Sequence, residues 1–278
     1  MSKYILRRND WGKPSCTHIV AEYPELKVIN KDEDKIPHDA EWVIRWATTS
    51  NFSLPTIPKV INKAGAIHKV FNKGSFRAQL AAEGLAPRTW LAYSYYLKDG
   101  GHLPVIIRPL KHSASEDLHY CVTEEEVSIA FQGLINKGYY ISEFIEKDHE
   151  YRVFLANSRV LAVMEKIPDD PQCVSWGIDE RWEYVGWYDW NLEVCHIACE
   201  SFRHSELDIG AVDIMTKDGV AYCLEVNSGP LVSPYYGKQL AKGIRWIIEN
   251  DCRENLAFGG DSIKHFIHPA IHEGAKGL

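Results

Sequence analysis

The sequence predicts an α+β fold divided into lobes. Three observations carry that expectation: apolar runs that alternate with a period of two, turn residues that join neighbouring runs into hairpins, and separate stretches with helical spacing and caps. The chain has 278 residues, 45% hydrophobic and 25% charged, enough to bury a substantial core in one large domain or two to three lobes. No apolar stretch approaches the roughly 20 residues that cross a bilayer. Residues 1–8 lack the apolar segment and cleavage site of a secretion signal, so no membrane association and a cytoplasmic location are expected. A formal charge of −7 argues against a general nucleic-acid binder. Seven cysteines, odd in number and scattered, do not make a secreted disulfide framework.

Short apolar runs at 4–6, 18–21 and 42–46 define a short N-terminal lobe, residues 1–57, that closes on a proline-containing linker at 50–58. A central lobe, 58–140, opens with a largely helical stretch at 59–84, interrupted at Gly65 and Gly74. It continues with a buried strand at 103–109 and a helix toward Asn136, started by a capping box of Thr123 and Glu126. A C-terminal lobe, 141–254, is entered from a strand at 139–145. Strands at 150–156 and 159–166 follow, joined by an Asn157-Ser158 turn. Residues 168–189 place Trp176, Trp182 and Trp187 on no single period and read as an irregular insertion. Leu192, Cys195, Cys199 and Phe202 recur at helical spacing, so the two cysteines around His196 read as core residues and not as metal ligands. A further helix covers about 236–250, and the tail, 255–278, has no clear period.

The most informative segment runs from Gly210 to Pro230. Two apolar runs, 209–215 and 220–226, flank Lys217-Asp218-Gly219, the chemistry of a tight antiparallel turn. Alternation sends Glu225 and Asn227 to one side of their strand, with Asp213 in the strand before it. Carboxylates inside apolar strands are seldom buried without a partner. An all-oxygen set suits Mg²⁺, with Mn²⁺ as the alternative ion, completed by water and nucleotide phosphates. Asp213, Glu225 and Asn227 are therefore the candidate metal ligands.

Four segments upstream point to a nucleotide in the same order along the chain. Asn72-Lys73-Gly74-Ser75 precedes an amphipathic helix, and Arg108 ends a buried strand. Glu143-Phe144-Ile145-Glu146 then precedes Glu150-Tyr151-Arg152, and the acidic hairpin comes last. In these motifs, over about residues 58–250, the sequence resembles the ATP-grasp superfamily, in particular its glutamate-adding (RimK-like) and D-alanine–D-alanine-type carboxylate–amine ligases. The resemblance implies an ATP-grasp fold, with the nucleotide held between two α+β lobes behind a short N-terminal α/β-like lobe. It implies that Lys73 and Arg108 contact nucleotide phosphates and that Glu143 sits at the adenine. Phe144 and Ile145 would offer backbone groups to the base, and Glu150 would accept from the ribose hydroxyls. Arg152 and Lys166, on paired strands, would oppose charge developing on a transferred phosphoryl group. Two departures stand out. Arg108 occupies a position that is commonly Lys, and residues 111–117 lack the glycines of the usual phosphate loop.

The activity expected from the resemblance is ATP-dependent amide or peptide bond formation through an acyl phosphate, with Mg²⁺ and ATP. Its substrates would be small-molecule or peptide carboxylates and amines, in a chain that is often a homo-oligomer in such ligases. His112, His196, His204 and the tryptophan-rich segment are candidates to line the substrate pocket. Two alternatives share the nucleotide site: a small-molecule kinase acting on a hydroxyl, and a non-catalytic nucleotide-binding module. No nucleophile elbow, Walker loop or dinucleotide fingerprint occurs.

Overall fold

Three sheets organise the chain in the computed structural model, which describes residues 2–7, 10–30, 36–50, 58–110, 117–176 and 181–272. The first sheet contains β1 (Ser2–Arg7), β2 (Leu26–Asn30), β3 (Ala40–Trp46) and β4 (Lys59–Ile61), all parallel, in the order β2-β1-β3-β4. Helix α1 (Lys13–Glu22) connects β1 to β2. Tyr4, Ile5 and Leu6 are buried in succession, as expected for a parallel strand covered on both faces. Of the apolar run at 18–21, Ile19 is the buried member, and it lies on α1.

The stretch expected to be largely helical from residue 59 begins instead with β4, whose β-branched Val60 and Ile61 extend the parallel sheet. Two helices follow, α2 (Ala64–Phe71) and α3 (Lys73–Ala82). The break falls at Asn72, not at either glycine: Gly65 and Gly74 lie inside the first turns. Asn72 caps α3, its side-chain oxygen accepting from the Ser75 N–H at 3.4 Å. At Gly74 a β-carbon would lie 2.4 Å from Leu110 Cδ2 and 2.9 Å from Tyr140 Cδ1, so this glycine lets α3 approach the second sheet.

That second sheet holds β5 (Thr89–Trp90), β6 (Val105–Pro109), β7 (His119–Cys121) and β8 (Tyr139–Glu143) in the antiparallel order β5-β8-β6-β7. Helices α4 (Tyr93–Lys98) and α5 (Glu124–Leu134) belong to the same region, and the expected capping box at Thr123 and Glu126 is formed.

The third sheet is antiparallel and five-stranded, in the order β11-β10-β9-β12-β13. Its members are β9 (His149–Ala156), β10 (Arg159–Ile167), β11 (Arg181–Val185), β12 (Ile209–Lys217) and β13 (Val220–Asn227). Residues 168–189 therefore contain a strand, β11, paired through Trp182 to Lys166. Its alternation is hard to read because an edge strand buries little. Asn157 and Ser158 (φ 47° and 58°) turn β9 into β10, and Asp218 and Gly219 (φ 50° and 80°) turn β12 into β13. Positive φ at both central residues matches the twist of a tight hairpin.

Helix α6 (Leu192–Ser205) covers one face of this sheet, with Cys195, Cys199 and Phe202 in the core beside Val153, Leu155 and Val212. Burial pushes the Cys195 thiol up to about 12, and the core reading of both cysteines holds. Leu192 does not join that face: it is the first helical residue and is exposed. Helix α7 (Pro234–Glu249) covers part of the opposite face, over Phe154, Ala156 and Ala211. The tail residues up to 272 dock: Val160 exchanges backbone bonds with Phe266 and His268, and Phe266 is buried. No helix among the described residues is long and apolar enough to cross a membrane.

Candidate functional site

On the third sheet, the face covered by α7 at one end of the strands is polar at the other. Register places Arg152 opposite Asp213, Asp213 opposite Glu225, Glu150 opposite Lys166, and Lys166 opposite Trp182. Period-two alternation on adjacent strands thus brings residues distant in sequence onto one sheet face, in two neighbouring rows.

Arg152 forks onto Asp213, Nε to Oδ1 at 2.7 Å and an Nη to Oδ2 at 2.9 Å. Lys73, in the first turn of α3, reaches Glu225 at 2.6 Å. Asn227 Nδ2 donates to Glu225 Oε1 at 2.9 Å and to Asp213 Oδ2 at 3.3 Å. Buried Glu150 is held by two cations, Lys166 at 2.6 Å and Lys147 at 2.5 Å. Glu150 and Arg152 share a face as the alternation requires, yet each is paired elsewhere and neither bridge lies at the open surface.

Trp182 lies beneath both Arg152 and Lys166, each cation 4.9 Å from a ring centroid. Lys147 lies 4.3 Å from the Trp176 ring, and Lys166 also donates to the Trp176 carbonyl at 3.2 Å. Arg77 on α3 donates to Leu224 O at 2.8 Å and to Ser142 Oγ at 3.2 Å, joining the third sheet to the second. Arg108, on β6, is pushed down by burial, with nearby Tyr140 and Glu225 opposing.

Burial also pushes Glu225 up, but Lys73, Asn227 and Arg152 outweigh it and hold the carboxyl at about 2. Lys147 is shifted down by burial, with Glu150 opposing. Arg152 moves upward: burial is outweighed by its carboxylate partner Asp213.

Between β8 and β9, the connecting residues 144–147, which belong to no strand, border a cavity of about 470 Å³. Phe144, Ile145 and Lys147 line it together with Pro104, Tyr120 and Cys173. The Phe144 and Tyr120 rings meet edge-on at 4.7 Å. A planar base fits such apolar walls beside an exposed backbone segment. The Phe144 N–H is already donated to Pro104 O at 3.1 Å. Glu143 turns its carboxylate to Arg88, at 3.2 and 3.3 Å. A second cavity of similar size, lined by Lys3, Tyr23, Glu25 and Arg245, borders the first sheet and contains none of the predicted site residues.

Of the sequence-predicted residues, Asp213, Glu225, Asn227, Arg152, Lys73, Lys166 and Glu150 thus lie on or against one sheet face. Phe144 and Ile145 line the adjoining cavity. His196 and His204 do not line this face: both sit on α6, which packs against the opposite side of the sheet. His112 and the glycine-free segment 111–116 lie outside the described residues. Sequence reasoning missed Lys147, Arg77 and Arg88. The signal for Lys147 was its place directly after Phe144-Ile145-Glu146, but only the fold shows that it shares Glu150 with Lys166.

Two carboxylates and one amide meet within 3.3 Å through hydrogen bonds, all hard-oxygen groups of the kind Mg²⁺ takes. Among the described residues no cluster of three His, Cys, Asp or Glu occurs. The residues fit magnesium with part of its shell left to water or phosphate.

No family model and no curated protein matches the sequence. Solved structures do match it in fold. A D-alanine–D-alanine ligase from Bacillus anthracis complexed with ATP is 13% identical with a TM-score of 0.62, over 90% of this chain and 100% of that one. A RiPP-associated ATP-grasp ligase from Chryseobacterium gregarium, in complex with ADP and a leader and core peptide, gives a TM-score of 0.66 at 12% identity, over 93% and 100%. The ATP-grasp ligase PsnB complexed with a phosphomimetic variant of its minimal precursor, Mg and ADP is 11% identical with a TM-score of 0.62, over 88% and 98%. The chain has the ATP-grasp fold. Its structural likeness is to ATP-grasp ligases, and solved members of that group hold ATP or ADP and Mg.

Proposed function

We propose that this chain is an ATP-dependent carboxylate–amine ligase that forms an amide or peptide bond, with residues 58–140 and 141–254 as the two lobes around the nucleotide. The observation that carries this reading is the gathering of Lys73, Arg152 and Lys166 with Asp213, Glu225 and Asn227 on one sheet face. Bound Mg²⁺-ATP would supply a γ-phosphoryl group: a substrate carboxylate oxygen would bond to the γ-phosphorus as its bond to ADP breaks, and an amine would then displace phosphate from the acyl group to give the amide.

Asp213, Glu225 and Asn227 hold the metal ion. Lys73, which bonds to Glu225, and Arg108 would bind phosphate oxygens. Phe144 and Ile145 wall the base, and Glu150, bonded to the cavity-lining Lys147, accepts from the ribose hydroxyls. Arg152 and Lys166, fixed by their carboxylate partners and by Trp182, offset the repulsion between a substrate carboxylate and a phosphoryl group. Such a preorganised charge costs no rearrangement when the barrier is crossed. The substrates are a small-molecule or peptide carboxylate and an amine. The RiPP-associated neighbour, which holds a leader and core peptide, favours the peptide option.

The test is an ADP-release screen with pooled carboxylic acids, each with and without pooled amines or hydroxylamine. Hydroxamate formation is the expected result, since hydroxylamine traps an acyl phosphate. ADP release with alcohols alone would replace this reading with a kinase, and no release with any pool would leave a nucleotide-binding module.

A further inference from the structure

The β12–β13 pairing is irregular at one point. Asp213 faces Glu225 and Ile214 faces Cys223, so Leu224 is an extra residue, a β-bulge, in β13. On the basis of the nucleotide and metal part of the proposed reading, we infer that Arg77 on α3 is a positioning residue. It holds this bulge and thereby keeps Glu225 and Asn227 on the face where the metal ion binds.

Strict alternation would set Ala221, Cys223, Glu225 and Asn227 on a single side of β13. The structure divides them. Ala221, Cys223 and Val226 pack into the core that α6 covers, whereas Glu225 and Asn227 meet Lys73 and Asp213 on the other side. One extra residue shifts the phase of a strand by one, and here it does so between Cys223 and Glu225. Regular pairing at this point would turn both metal ligands of β13 toward the core.

A bulge leaves backbone groups out of the ladder, and β13 is the edge of its sheet, so those groups need partners from elsewhere. Helix α3 and the residues behind it supply them. The Cys223 N–H donates to Leu85 O at 2.7 Å. The Leu224 carbonyl accepts from an Nη of Arg77 at 2.8 Å, and Nε of the same guanidinium donates to Ser142 Oγ at 3.2 Å. Ser142 is buried on β8 and is held in turn by Thr89 Oγ1 at 3.3 Å. The guanidinium is thus fixed from two directions, and a planar fork so anchored sets where the carbonyl can lie. Arg77 follows Lys73 by one turn of α3, so the helix that reaches Glu225 directly also holds the residue before it. Arg108 senses both the positive charge of Arg77 and the negative charge of Glu225, which places all three at one corner of the site.

The experiment measures ADP binding to the full chain by titration calorimetry, once with Mg²⁺ and once with EDTA in its place, and takes the ratio of the two dissociation constants. Mg²⁺ is expected to tighten ADP binding by the wild type. Groups behind metal ligands carry a large share of metal affinity, so in Arg77→Met the Mg²⁺ effect is expected to fall by about tenfold, with binding in EDTA unchanged. Removing a positive charge near a cation site would by itself favour the metal, so a loss reports the position of the ligands. A role in the fold alone, or a direct contact to phosphate, would weaken binding in both conditions and leave the ratio where it was; an unchanged ratio overturns the inference. Ser142→Ala removes the second anchor but not the bond to Leu224 O and is expected to keep most of the Mg²⁺ effect. A fall equal to that of Arg77→Met also overturns the inference. Arg77→Lys keeps the charge without the fork and decides in the same way if Arg77→Met does not fold. A wild type that binds no ADP, or binds it equally well in EDTA, removes the nucleotide and metal reading and the inference with it. Mg²⁺-dependent ADP binding without turnover of any acid and amine pool removes the ligase reading and leaves the role of Arg77 standing.

Discussion

Glu225 shows how the site balances burial against charge. Lys73 at 2.6 Å and Asn227 at 2.9 Å keep it ionised inside the protein. Its carboxyl is lowered to about 2, so the anion is present throughout the neutral range. Glu225→Gln is expected to abolish Mg-ATP-dependent ADP release with little loss of stability, because the Lys73 side chain is about a quarter exposed and can rehydrate. Asp213→Asn is expected to abolish it too, at a greater structural cost. That change strips the fork from Arg152, whose side chain is 19% exposed. Breaking one partner of a buried pair costs about 3–5 kcal/mol, and the residual exposure places this case near about 3. Urea denaturation of both variants beside an ADP assay checks the contrast; equal stability losses would refute it. At this scale the three oxygen ligands were legible, because alternation in a hairpin is local. The double grip of Lys147 and Lys166 on Glu150 was not, since it joins the connection before β9 to a neighbouring strand.

The β12–β13 hairpin is fixed by its turn at one end and by Gly210 at the other. A β-carbon on Gly210 would lie 2.5 Å from Asn227 O and 3.1 Å from Phe202 Cε2. Backbone cannot yield as a flexible side chain does, so Gly210→Ala must displace the strand end that carries Asn227. The expected cost is about 1–3 kcal/mol, together with weaker Mg²⁺ dependence of turnover, read as a raised half-saturating magnesium concentration. Helix α5 is started by its cap and held by the buried Val127, Ala130 and Leu134. Thr123→Ala removes the hydroxyl that accepts from the Glu126 N–H and is expected to cost about 1 kcal/mol in a thermal melt. Both hairpin and cap were legible because their chemistry lies within a few residues. Strand β11 was not, because its pairing to β10 crosses a long connection and leaves few of its side chains buried.

Across the whole molecule, the tail locks the third sheet. Arg159 on β10 donates to Ala257 O and Ile267 O, while His268 is fully buried beside Trp246 and Asn157. Burial, helped by Arg159, lowers the His268 imidazole to about 3. The unfolded chain binds that proton near pH 6.5, so the neutral ring's contribution is complete above this value and is lost as pH falls toward 3. Relative to a His268→Gln variant, wild-type stability is expected to decline by up to about 1.4 kcal/mol per pH unit over that window. Parallel pH profiles of the two proteins by denaturant unfolding would disprove the docked, neutral state.

The sequence by itself determined the elements whose signals are short-range: the hairpins, the capping box, the helical face of α6, and the order of charged motifs that resembles ATP-grasp ligases. Those signals sufficed for the fold and for which carboxylates and amide converge. Tertiary structure alone decided that β4 joins the parallel sheet, that Arg152 belongs to Asp213, and that α1 and α7 run side by side. The physical reason is that these contacts depend on strand order and helix direction, which link positions tens to hundreds of residues apart and leave no periodic trace in the chain.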